Sequence, residues 1–129
     1  MASPGGDVVR IALDDVPRRE LRNGGWSKLS LSRDRLTGNT ACLGYASFPP
    51  GSVTQLVVHD AEELFFIVQG TGEVRLEDGS IPFAPLDAFF VPPGAWHAVA
   101  NTGDVDVVTV FGFPGPDYPA TEQREPPGP

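Results

Sequence analysis

Turn signals punctuate the middle of this chain so regularly that only short segments are left between them. Pro49-Pro50-Gly51, Gly70-Thr71-Gly72, Asp78-Gly79 and Pro92-Pro93-Gly94 break it into runs too short for long helices. The intervening runs are rich in β-branched and aromatic residues, as in Glu-Leu-Phe-Phe-Ile-Val-Gln over 63–69. Such residues suit a pleated, half-buried surface and favour strand over helix. Strands are predicted at 8–13, 26–31, 40–48, 55–59, 63–69, 73–76, 81–83, 87–91, 97–100 and 105–113. A weak helical turn is expected at 14–21, where Pro17 interrupts. Many short strands with regular turns imply an antiparallel sandwich or barrel.

The chain of 129 residues suits one domain, and its 40% apolar content is enough to form a core. We divide it into a loose start (1–7), a barrel (8–113) and a proline-rich tail (114–129). Proline lacks the amide donor that a central strand needs, so the tail is expected to lie on the surface or reach a partner subunit. The formal net charge of -8 and the lack of a basic cluster after Arg35 argue against nucleic acid as a partner. The start has no basic region followed by an apolar run, and no apolar run approaches the roughly 20 residues of a membrane span. A cytoplasmic protein with no membrane partner is expected. The single cysteine, Cys42, excludes an intrachain disulfide and reads as a small strand hydrophobe.

Chemistry has few candidates, because the chain contains only two histidines, His59 and His97. Alternation along a strand groups Gln55, Val57 and His59 on one face, Glu63, Phe65 and Ile67 on another, and His97, Val99 and Asn101 on a third. If these faces point inward, two imidazoles and a carboxylate converge in an apolar barrel. Such donors suit Fe(II), Mn, Zn, Ni or Co and leave positions open for substrate. Taken alone, two histidines are as readily ordinary core or surface groups, and Glu62 rivals Glu63. Gln55 is expected to reach a ligand or line the mouth. Phe65, Ile67, Phe89 and Val99 form core or pocket wall, and Trp96 packs under the site or at a dimer contact. Asn101 is expected to hold a turn; Arg75 and Arg35 belong to solvated faces or bind an anion.

The segment Gly51-Ser-Val-Thr-Gln-Leu-Val-Val-His-Asp-Ala-Glu-Glu-Leu-Phe-Phe-Ile-Val-Gln-Gly70 resembles the first motif of the cupin superfamily, G-x5-H-x-H-x3,4-E-x6-G. Gly51, His59, Glu63 and Gly70 fall in register, while Val57 stands at the first histidine position. Pro92, Gly94, His97 and Asn101 match the second motif, with Leu86 at its leading glycine. The resemblance covers about residues 40–113. It implies an all-β jelly-roll barrel, also called a double-stranded β-helix. It also implies a divalent metal held by His59, Glu63 and His97, with Gln55, Val57, Phe65, Ile67, Phe89, Trp96 and Val99 around it.

The remaining ligands resemble the two-histidine, one-carboxylate triad of non-haem iron oxygenases. Fe(II) oxygenase-like chemistry on a small organic molecule is therefore the first expectation. A non-redox isomerase, cyclase or lyase is the alternative, and a small-ligand binding module the third reading, since this fold hosts all of them. A homodimer is expected because the first strand and the tail are left over to reach a neighbour.

Overall fold

The computed structural model describes residues 6–125. Its eleven strands are β1 (Arg19–Glu20), β2 (Trp26–Leu31), β3 (Ala41–Phe48), β4 (Leu56–His59), β5 (Glu63–Gln69), β6 (Gly72–Leu76), β7 (Gly79–Phe83), β8 (Ala88–Val91), β9 (Ala98–Asn101), β10 (Val107–Pro114) and β11 (Thr121–Arg124). One six-stranded sheet runs β1-β2-β3-β10-β5-β8. The other combines β7-β6-β9 with β4-β11, joined by bridges from Val53 to Ala100 and from Val57 to His97. Every pairing between these strands is antiparallel. The two sheets face each other as an all-β jelly-roll sandwich.

Inward alternation builds the core. Cys42, Ala46 and Phe48 of β3, Phe65 and Ile67 of β5, and Val107, Phe111 and Phe113 of β10 meet Val74, Phe83 and Val99 from the second sheet. The opposite face of the large sheet leaves Leu43, Leu64, Phe66, Val68 and Phe90 exposed. Gly70 ends β5 at φ +93°, where a Cβ would stand 2.8 Å from both the Asp106 carbonyl oxygen and Val107 Cα. Only glycine fits that close backbone approach. Leu86, which replaces the second motif's leading glycine, sits at φ 77°.

Two expectations need correction. Residues 8–13 form no strand: Val8 is fully exposed, and the adjoining element is one 3-10 turn at Leu13–Asp15. The first strand of the chain is instead β1, two residues long, which pairs with Trp26 and Ser27 of β2. The helical turn expected at 14–21 shrinks to that single turn. In the tail, residues 121–124 contain no proline, so they keep the amides a ladder needs and pair with β4 of the same chain. This part of the tail lies on the surface as an exposed edge strand beside the site. Of the loose start, residues 1–5 lie outside the described residues. Among the described residues no helix is long and apolar enough to cross a membrane.

Candidate metal centre

The hairpin between β4 and β5 turns at Ser-free residues 60–62, so His59 at the end of one strand and Glu63 at the start of the next come together. The second motif is fastened alongside. Val57 and His97 exchange two backbone hydrogen bonds of 2.9 Å, and the Gly94 amide donates to the His59 carbonyl at 3.0 Å. Two segments far apart in sequence thus hold three side chains within 4.8 Å of one another by their donor atoms. These side chains are only 8% (His59), 12% (Glu63) and 5% (His97) exposed. Glu62 is exposed and is not part of this cluster, whereas Glu63 is.

Both imidazoles are oriented from behind. His97 Nδ1 lies 3.0 Å from the Ala95 carbonyl oxygen, which can only accept, so Nδ1 carries a proton. Thr121 Oγ1 donates to the Pro119 carbonyl at 3.0 Å and accepts from His59 Nδ1 at 2.8 Å. A ring so held, when neutral, presents its Nε2 lone pair to the cluster. Each Nε2 faces Glu63 Oε1, at 3.2 Å from His59 and 3.0 Å from His97. Three acceptors in an enclosed space repel one another unless protons or a cation lie between them. Donor atoms about 2.1 Å from a common ion and at right angles around it stand ~3.0 Å apart. The donor set and its spacing fit a divalent ion.

Charge within the cluster follows the same logic. Burial opposes ionisation of Glu63, but hydrogen bonds with His59 and His97 outweigh it and hold the carboxyl below its usual range. Burial likewise disfavours the His97 imidazolium, yet the hydrogen bond to Glu63 prevails and raises its pKa.

The cluster lies at a cavity of about 420 Å³. Val57, Phe65 and Val99 line it, and Val57 stands at the position of the motif's first histidine. Gln55 is at the mouth and donates to Glu125 Oε1 at 3.1 Å, so it does not reach the cluster. Three other expected neighbours lie elsewhere. Ile67 is wholly buried core. Phe89 stacks behind Phe65 at 4.8 Å. Trp96 is covered by the Arg124 guanidinium at 4.0 Å. Asn101 holds a turn, donating to Phe48 and Val105 carbonyls and accepting from the Gly103 amide. Arg75 pairs with Glu73 on a strand face, and neither it nor Arg35 lines the cavity.

Much of the wall was missed. Thr109, Phe111 and Phe113 line it from β10, and the period-two pattern of that strand carried the signal. Arg19, Ser27, Tyr118 and Thr121 also line it. Phe113 meets the His59 ring edge-on at 4.9 Å, and Tyr118 stands 5.9 Å from both Phe111 and Phe113. Burial pushes the Tyr118 phenol up, with Ser27 and Arg19 opposing the shift and Glu63 adding to it.

Comparison with known proteins agrees with this picture. A family model described as Cupin domain matches residues 44–113. Protein SchB of Streptomyces halstedii is 29% identical over 120 residues, covering 89% of this chain and 86% of that protein. The 5-nitrosalicylic acid 1,2-dioxygenase of a Bradyrhizobium species is 36% identical over 59 residues, but the match covers 46% of this chain and 28% of that protein. Among solved structures, the polyketide cyclase RemF from Streptomyces resistomycificus superposes with a TM-score of 0.76 at 17% identity, covering 91% of this chain and 85% of that one.

Proposed function

Because the chain belongs to the cupin family, we propose that it is an enzyme in which His59, Glu63 and His97 hold one divalent metal and a small organic molecule reacts in the adjoining cavity by non-redox chemistry such as cyclisation. The observation that carries this reading is the donor cluster itself: two imidazoles with their Nδ1 atoms tied and their Nε2 atoms turned on one buried carboxylate oxygen. A bound ion would supply Lewis acidity toward a carbonyl or enolate oxygen.

The chain's own groups complete the chemistry. Phe48, Phe65, Phe111 and Phe113 wall the cavity and keep water from the reacting atoms. Tyr118 keeps its proton because burial raises its pKa, so it serves as a hydrogen-bond donor to a developing oxyanion. Glu63 stays ionised and holds both rings. A neutral phenol and ionic ligands are tools for moving protons and stabilising an enolate. They favour the cyclase class over the oxygenase reading. The near full-length likeness to a polyketide cyclase supports the same class, whereas the dioxygenase match is short.

The test begins with metal analysis of protein purified without chelator, where one divalent ion per chain is expected. His59→Ala, Glu63→Ala and His97→Ala should each lose most of it, and Glu62→Ala should keep it. Candidate hydroxy- or keto-acids and enols are then supplied under nitrogen and under air. Product formed under nitrogen supports the proposal. Substrate-dependent oxygen uptake moves the assignment to Fe(II) oxygenase chemistry. Tight ligand binding without turnover under either gas makes the protein a binding module.

A further inference from the structure

We propose that Arg19 and Tyr118 form an anion-recognising end of the cavity, so that the ligand is a flat, conjugated acid with its anionic group at Arg19. This rests on the reading that the cavity is the substrate site. Two arginines line the cavity, and they differ in their partners. Arg22 is paired with Glu125 at 2.7 Å. Arg19 has no carboxylate within ion-pair distance among the described residues. In a chain with a formal net charge of -8, an unpaired guanidinium at a cavity wall is conspicuous.

Its position is built. The pairing Arg19↔Ser27 sets it beside buried Ser27 on the cavity face of the sheet. Its guanidinium lies 5.4 Å from the centroid of the Tyr118 ring, and the Tyr118 hydroxyl is 3.5 Å from Ser27 Oγ. Tyr118 is in turn stacked on Phe111, and Phe113 links it to His59. A continuous aromatic wall therefore runs from the donor cluster to the guanidinium. The one acidic side chain lining the cavity, Glu63, is already engaged by both imidazoles. The wall selects a flat π-system by stacking, and the fork of Arg19, which has no carboxylate partner among the described residues, selects a carboxylate by charge-assisted hydrogen bonds.

The test uses 1-hydroxy-2-naphthoate and its neutral analogue 1-hydroxy-2-naphthamide, with calorimetry on the full chain with and without added Zn(II). The wild type should prefer the acid. Arg19→Gln should weaken the acid about tenfold or more, as expected for lost hydrogen bonds to a charged group, and leave the amide unchanged. Tyr118→Phe should weaken both, since the ring is kept and a neutral donor is lost. Metal affinity by chelator competition should stay at the wild-type value in Arg19→Gln. No preference for the acid in the wild type, through equal binding or none, overturns the proposal. So does an Arg19→Gln loss that is equal for acid and amide. If the chain takes up no metal, the metal reading fails by itself, and the acid-to-amide ratio in the metal-free chain still decides Arg19.

Discussion

Replacing Thr121 by Val removes one hydroxyl and nearly nothing else, yet it should weaken metal binding about tenfold. The side chains are close in shape, so β11 keeps its pairing with β4. What changes is the acceptor for His59 Nδ1, which Thr121 Oγ1 provides at 2.8 Å. In the metal-free protein the ring can shift its proton to Nε2 and donate to Glu63, 3.2 Å away. In the metal-bound protein Nε2 must offer its lone pair, so the proton stays on Nδ1 and the variant leaves that donor unsatisfied. The penalty of about 1–3 kcal/mol for an unpaired buried donor therefore falls on the bound state alone. Because β11 is exposed, water will offset part of this, and ~1.4 kcal/mol, or tenfold, is expected. Competition with a chromophoric chelator measures it, and Thr121→Ser should bind as the wild type does. If Thr121→Val changes affinity less than threefold while His59→Ala abolishes binding, the orienting role is refuted.

Val57→His should tighten metal binding by tenfold or more, because residue 57 lines the cavity opposite His97; unchanged affinity would show that it does not face the ion. Gly70→Ala should cost about 2–3 kcal/mol and lower Tm by roughly 5–10 °C, since its Cβ meets backbone atoms at 2.8 Å and φ is +93°. Unfolded tyrosine ionises near pH ~10 while folded Tyr118, with its raised pKa, keeps its proton. The unfolded state then binds fewer protons, so stability is full below that pH and falls as pH rises through the folded pKa. Denaturant titrations in the alkaline range should show this decline, and Tyr118→Phe should flatten it.

The sequence by itself determined the sheet-rich fold and the three clustered side chains. Strand alternation is a local property: backbone pleat alone puts residues 55, 57 and 59 on one face, and hairpin turns mark where His59 and Glu63 meet. Two motifs in register then bring in His97. The edges of the structure were not legible in this way. Residues 8–13 have strand composition, but a strand exists only where it finds a partner to pair with, and these residues pair with none of the eleven strands. Residues 121–124 look like part of a proline-rich tail, yet the amides of β4 were open and the segment supplies matching donors and acceptors. The same docking brings Thr121 against His59, while the chain just before it sets Tyr118 beside Arg19. Those partners are separated by 62 residues in the first case, and no periodicity spans such a gap. Tertiary packing alone decided which polar groups stand behind the two imidazoles and which charge faces the cavity.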